Sequence, residues 1–506
     1  MKKEVIKNTT ANLISRLWTI LSNFLFVPAY IHLLGAEAYG LTTFFATMQV
    51  VLNLMGAGLS QTLRREFASK NEEDTLLYKF KQLRSVELIY AIIALLIILI
   101  CGFLSGPISS TWLQAVEIDV SIVKQCIFLM GVSIAIQLLS NLYLGVLFGS
   151  EKQVLANTIQ VTWSLVRNGG VILVLIARPS VLVFFGWFVL CDIIYTLVLR
   201  VSINYRVLDQ LKTKEWKLSD LRYLSRIYKY ALGILAISIG YVINSQIDKI
   251  LISHSFTLTE LGAYNTMFSL SYLTTIVASA VGIAVFPKFT GNYTSGNITR
   301  LNQQYTLVNG VVSIFTITIG CFIAFYAYDI LLIWTQNETI PNIMRDSAIF
   351  VALGTMLISI EEIPYNYLLA RGLTNPNKIQ TLASIIYVLV FTPLFIKLWG
   401  IKGASISWLI EMGLSCVFYM AFFLLRFFKE DAIKLLWRQI VFPLLFGIGT
   451  ALLSSQLLKL ILPNGILKLI FAFLIGVFVI SLELYIFYRE QVTQYAKSFV
   501  NKFFQR

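Results

Sequence analysis

Two arginines stand inside stretches of sequence that are otherwise apolar. Arg167 lies in Ser164-Leu165-Val166-Arg167-Asn168-Gly169-Gly170, near the middle of its stretch. Arg16 lies about 10 Å into another, at 1.5 Å per residue. A charge at mid-depth in a bilayer costs about 2.5–3.5 kcal/mol on insertion scales, so each needs a reason to be there. A guanidinium presents a planar fork that grips phosphate or carboxylate through two hydrogen bonds. Arg167 is too deep to reach the surface easily. Either it pairs with an acid of another stretch, or it meets an anionic ligand, and the two readings are compatible. Gly169 and Gly170 beside it would let a headgroup or a neighbouring helix approach the backbone. Arg16 either snorkels back to the interface or serves as a second cation for the same ligand.

Acids inside apolar stretches include Asp192, Asp248, Glu361, Glu362 and Glu411. Adjacent Glu361 and Glu362 point 100° apart on a helix, so both cannot face lipid cheaply. Pro364 follows and favours a bend. One of the two glutamates would exchange a proton or bind Na⁺ as a coupling site, with Asp192 and Asp248 next in line. The bland reading is a structural pair with Arg167 or Arg371. Asp248 and Lys249 near the end of one stretch read as interface residues or as an outer gate, and Lys124 reads mainly as an interface residue. Arg64, Arg65 and Lys288 end two stretches at matching places. They read equally as flanking charges and as a basic rim that attracts an anion.

These residues are positioned by a chain that is mostly apolar. It has 506 residues, of which 57% are hydrophobic and 13% charged, and a mean hydropathy of +0.77. Soluble domains are about one quarter charged, so this is a polytopic membrane protein. Fourteen apolar runs reach spanning length: 9–33, 38–62, 86–106, 121–147, 155–177, 180–199, 231–253, 262–286, 307–333, 347–370, 379–398, 403–425, 439–460 and 465–487. Helices are expected, since lipid leaves no water to satisfy an open backbone. With the N-terminus in the cytoplasm, 30 of the 40 basic residues fall in cytoplasmic segments. That places both termini inside.

The same distribution explains the net charge of +14 without nucleic acid. Five cysteines, all within apolar runs, are expected to be free and buried, and no Cys/His cluster points to a metal. The N-terminus lacks a cleavage pattern and is expected to be retained. There is no GxxxxGK[ST] loop for ATP. The histidines, His32 and His254, lie near predicted external ends, which argues against an intramembrane His base. Neither a cytoplasmic DxD pair nor a long external loop is present to build a sugar-transfer site.

The chain divides by internal similarity. Gly40 and Gly262 stand at an offset of 222, and Arg65 with Lys288 and Gly149 with Gly372 at 223. Each unit would hold six spans and enter from the same side, as parallel repeats. The expected organisation is a first six-helix lobe over 1–205, a basic cytoplasmic linker over 206–230, a second six-helix lobe over 231–428, and appended helices 13 and 14 with a tail over 429–506.

With Asn12, Arg16, Pro28 and Leu34-Gly35-x-x-x-Tyr39-Gly40-Leu41 in the opening, and Gln246-Ile247-Asp248-Lys249-Ile250-Leu251 before Leu261-Gly262-Ala263-Tyr264, the chain resembles the polysaccharide flippases of the multidrug/oligosaccharidyl-lipid/polysaccharide exporter superfamily. The resemblance covers essentially the whole chain. It implies an all-α membrane fold of about 14 helices, with two six-helix lobes around a central cavity. It implies a cargo of oligosaccharide on undecaprenyl diphosphate, moved from the inner to the outer leaflet of a bacterial cytoplasmic membrane by alternating access. It also implies Arg16 and Arg167 as cavity cations. No catalytic residue, metal or organic cofactor is expected, and coupling would be to H⁺ or Na⁺. Expected partners are the lipid-linked cargo, membrane lipids, a polysaccharide polymerase and glycosyltransferases, with the chain itself a monomer. The alternatives are a multidrug or organic-cation antiporter of the same superfamily and, more remotely, a membrane glycosyltransferase or polymerase.

The topology is checked by accessibility labelling of single cysteines. A cysteine at position 214, in the 206–230 linker, should react only from the cytoplasmic side. External reaction there would overturn both the orientation and the repeat plan.

Overall fold

The computed structural model describes residues 11–504, apart from 13, 14, 16, 17, 19, 20, 23, 70–74, 210, 212–214, 218, 219, 222–227, 463 and 464. The chain is all-helical. Beyond a single bridge between Gln114 and Thr257, the described residues contain no β pairing. The helices are α1 (Val27–Leu34), α2 (Ala36–Ala68), α3 (Leu76–Pro107), α4 (Val120–Gly149), α5 (Gln153–Ser164), α6 (Gly170–Ala177), α7 (Val181–Arg206), α8 (Tyr228–Ser255), α9 (Leu258–Ser271), α10 (Leu273–Thr294), α11 (Ile298–Thr335), α12 (Thr339–Met344), α13 (Ala348–Ala370), α14 (Asn375–Phe427), α15 (Ala432–Leu436), α16 (Phe442–Ile461) and α17 (Ile466–Phe504). Three π-helical turns, Ile108–Trp112, Leu165–Gly169 and Trp437–Val441, extend or join these helices.

Twelve helices among the described residues are long and apolar enough to cross a membrane. Fourteen runs were expected, and two local features account for the difference. Helix α14 carries non-helical backbone at Trp399 and Gly400, the latter at φ +60°, so it contains two of the predicted runs joined at a kink. The first run lies partly outside the described residues. The eighth run is built as α9 and α10, which meet at Tyr272. The five cysteines are free and buried, as their setting in apolar runs predicts.

By packing, the chain forms two compact units, Met1–Gly262 and Ala263–Arg506. The repeat pattern places a linker at 206–230, whereas packing assigns α8 to the first unit. Small residues explain the assignment. A Cβ at Gly58 would overlap the carbonyl of Ala231, and one at Gly40 the carbonyl of Leu258. Trp112 Nε1 donates to Ser253 at 3.0 Å. The repeat-related glycines Gly40 and Gly262 lie against each other, which accounts physically for their recurrence. Gly149 and Gly372 do different work. A Cβ at Gly149 would strike the Arg64 carbonyl, while Gly372 adopts φ +71° in open space.

In the second unit, α11 packs against α10, α13, α16 and α17. The pair α16–α17, which has no counterpart in the repeat, is attached to α11 by polar contacts. Lys468 Nζ lies 2.7 Å from Asp329 Oδ2, both side chains buried. Tyr326 bonds to Ser454 at 3.0 Å. Near the start of α11, Asn309 donates to Gln439 at 2.7 Å, and Gln439 donates to the Thr306 carbonyl at 3.0 Å.

Removing one partner of a buried ion pair leaves an uncompensated charge, at a cost of about 3–5 kcal/mol. Lys468→Met should therefore lower the thermal midpoint of the purified protein clearly. The double variant Lys468→Met/Asp329→Leu should recover most of the loss. Unchanged melting of the single variant would show that this pair does not hold the helix pair in place.

Candidate functional site

Arg167 lies buried in the first unit, in the π-helical turn Leu165–Gly169 between α5 and α6. Such a turn inserts one residue into a helix and recurs at functional sites. Arg167 is only 7% exposed. Its Nε lies 3.2 Å from Asp192 Oδ1 of α7. Its guanidinium sits 3.7 Å from the ring centre of Phe188, with Trp163 at 5.2 Å and Phe45 at 5.7 Å. Aromatic faces attract a cation and favour it more strongly once it is desolvated. The internal ion pair expected as one of two readings is therefore present. It does not exhaust the arginine, because Nη2 is buried with no hydrogen-bond partner. The adjacent glycines face rings rather than open space: a Cβ at Gly169 would touch Phe26 and one at Gly170 would touch Trp187.

Asp192 is fully buried and connects this pair to α4. Ser133 donates to its Oδ2, and Gln137 Nε2 donates to the same oxygen at 2.8 Å. Gln137 in turn accepts from Gln49 of α2. One turn further along both helices, Asn141 Nδ2 and Asn53 Oδ1 are 3.4 Å apart. Beyond them the helices touch through glycine, since a Cβ at Gly145 would strike the Ser60 carbonyl. The guanidinium of Arg64 then lies 5.2 Å from the ring of Phe148. Gln49 and Arg64 are fifteen residues apart, about 22 Å along a helix. A polar seam thus links a buried cation to an exposed one through two spans that are otherwise apolar. At its open end lies a cavity of about 580 Å³ whose polar lining is Asn53, Ser60, Gln61, Arg64, Asn141 and Ser238.

Most of this seam was not foreseen. Its signal was in the sequence as polar residues four apart, Gln49 with Asn53 and Ser133 with Gln137 and Asn141, a spacing that puts each set on one helix face. The remaining sequence candidates are distributed as follows. Arg16 lies outside the described residues. Arg65 is exposed in the last turn of α2, and Lys288 is exposed six residues before the end of α10. Asp248 accepts the Lys249 backbone N–H at 2.8 Å, and both side chains are half-buried.

The second unit gathers acids. Glu361 is buried and its Oε2 accepts from Ser415 at 2.8 Å, while Oε1 has no hydrogen-bond partner. Glu411, one turn before Ser415, interacts with it electrostatically and accepts from Ser384. Glu362 diverges, as the 100° step requires. It is half-buried, accepts from Asn366 at 2.9 Å, and faces Gly282. Among the described residues, the expected structural pair with Arg371 is not formed by either glutamate. Arg371 instead donates to Tyr367 at 3.1 Å and lies 4.4 Å from the ring centre of Phe427. Three or more His, Cys, Asp or Glu residues suited to a metal do not come together among the described residues.

Comparison with known proteins supports the same class. No curated protein matches the chain. A solved structure of the lipid II flippase MurJ, in an inward closed conformation, superposes with a TM-score of 0.72 at 16% identity, covering 96% of this chain and 100% of that one. An inward-facing multidrug resistance transporter of the MATE family and MOP superfamily gives 0.63 at 14%, covering 85% and 99%. A MOP superfamily transporter from Pyrococcus furiosus, described as having reversed binding-pocket polarity, gives 0.55 at 15%, covering 86% and 97%. These likenesses establish the MOP-superfamily transporter fold. The family model "Polysaccharide biosynthesis protein" matches residues 5–292, and the chain belongs to that family.

Proposed function

We propose that this protein is a flippase for a lipid-linked oligosaccharide, carrying undecaprenyl-diphosphate-linked sugar from the inner to the outer leaflet of a bacterial cytoplasmic membrane by alternating access. The observation that carries this reading is the seam between α2 and α4. Amide and hydroxyl rungs suit the hydroxyls of a glycan, and the cations at its two ends suit a diphosphate. Two arginines against one aspartate leave the seam net positive. An organic-cation antiporter, the reading favoured by likeness to the MATE structure, would need the opposite sign. A glycosyltransferase or polymerase is disfavoured by the family and by the fold, both of which belong to transporters. Outward movement of an anion is further assisted by an inside-negative potential, at about 2.3 kcal/mol per charge per 100 mV. The lipid tail stays in the bilayer, and a polymerase and glycosyltransferases would act on either side of the transport step.

Glu361 is the proposed coupling acid. A second carboxyl at its side and the absence of an arginine partner make simultaneous charge on Glu361 and Glu411 costly. A proton held there would be linked to cargo binding by an equal free energy in both directions.

Two measurements test the proposal. Arg64→Ala should weaken cargo binding about 10- to 100-fold, the equivalent of one charge-assisted hydrogen bond. Arg167→Ala should abolish export, and Arg167→Lys should restore little because an ammonium lacks the fork. Since Arg167→Ala also strands Asp192, the double variant Arg167→Ala/Asp192→Asn separates fold from function. Recovered protein with no export places Arg167 on the cargo; recovered export makes the pair purely structural.

For coupling, cargo affinity is measured across the neutral pH range in Glu361→Gln and Glu362→Gln. The first should flatten the pH dependence and the second should keep it. A wild-type profile in both would move the coupling site elsewhere.

A further inference from the structure

Helix α17 carries a carboxyl that nothing in the seam or the coupling pair uses. Glu483 lies inside a candidate membrane span and is 0% exposed. Neither of its carboxyl oxygens has a hydrogen-bond partner. Thr318 of α11 faces it, and the Thr318 hydroxyl is likewise unpartnered. Cys321, one turn along α11, is the titratable group that faces Glu483 from that helix. From α16, Gly447 lies against the Cys321 thiol. The charged group nearest on the turn before α16 is Arg438, occupied 4.1 Å from the ring centre of Tyr488. Tyr488 is the titratable neighbour on α17 itself, five residues on, with its hydroxyl against Gly310. Lys468 is fifteen residues away, about 22 Å along the helix, and is engaged with Asp329. Among the described residues no cation pairs with Glu483.

A carboxylate with two unsatisfied oxygens and no counter-ion is not tolerated in a dry helix interface, whereas a neutral carboxyl is. Na⁺ would need more oxygens than Glu483 and Thr318 supply. We infer that Glu483 is a proton-binding site in the seam joining the appended pair α16–α17 to α11, neutral while the seam is packed and charged only when the seam opens to water. A closed seam then binds the proton more tightly than an open one. By linkage, rising pH favours opening. The appended helices would thereby carry a pH-sensitive latch separate from the Glu361–Glu411 pair.

Cys321 makes the latch observable. In a variant that keeps Cys321 and replaces Cys101, Cys126, Cys191 and Cys416 by Ser, a membrane-permeant maleimide reports access to the seam. The comparison is with the same variant carrying Glu483→Gln, which mimics the neutral carboxyl and removes the shared rise in thiolate with pH. The ratio of the two labelling rates should climb by up to about tenfold per pH unit, as release of one proton requires, and should converge at low pH. Glu483→Asp should retain a pH dependence. Infrared spectra of the otherwise unmodified protein near neutral pH should contain a protonated-carboxyl band that Glu483→Gln removes. A flat ratio, or a band unaffected by that substitution, would overturn the assignment.

Discussion

A polar atom buried in a lipid-embedded protein must find its partner within the protein, because no water is at hand to replace one. That constraint organises this molecule more than hydrophobic packing does, since lipid tails are as apolar as leucine and reward burial little. Helix pairs are joined where polar side chains meet or where glycine lets backbones touch. The contact of α2 with α4 uses both, with amide rungs at Gln49 and Asn53 and a glycine contact at Gly145. The attachment of α17 to α11 depends on Lys468 and Asp329, and that of the turn before α16 on the amides of Asn309 and Gln439, for the same reason.

Buried acids meet the constraint in two ways. In the first, the buried acid Asp192 has an arginine, two side-chain donors and an aromatic surround for its partner. In the second, Glu361 rests on a serine beside a second carboxyl, and Glu483 faces only the Thr318 hydroxyl, with no cation at its side among the described residues. A compensated acid stays charged and fixes a cation in place. An uncompensated acid holds a proton and changes state when its surroundings do. Among the described residues the chain thus holds both kinds of buried acid, Asp192 and Asp329 beside a cation and Glu361 and Glu483 without one.

The fold was legible because its signal is long-range and redundant: each span repeats the same apolar message over about twenty residues. The depth of Arg167 was legible too, and an internal acid partner was one of its two readings. Which acid it would be was not, because Asp192, Asp248, Glu361, Glu362 and Glu411 are equivalent as letters and differ only in which helix face the packing turns toward Arg167. The seam escaped because uncharged Gln, Asn and Ser carry a weaker signal than charges, although their spacing by four was present. Glu483 is a single carboxyl within the apolar run 465–487 and gives a weaker signal than the adjacent pair Glu361 and Glu362. Arg16 bears on the same ligand reading but lies outside the described residues.

The glycines beside Arg167 show how a correct observation can carry the wrong cause. Read from sequence, Gly169 and Gly170 make room for a ligand. In the structure they make room for Phe26 and Trp187. The π-helical turn that holds Arg167 brings the Val166 carbonyl to Trp187 Nε1, which donates to it at 3.2 Å. The glycines, the extra residue and the tryptophan are thus one device. It sets Arg167 where it reaches Asp192 while its side chain is boxed by Phe45, Trp163 and Phe188. Asp192 in turn takes Ser133 and Gln137 as donors on its other oxygen, so the arginine and the two α4 side chains share one buried acid.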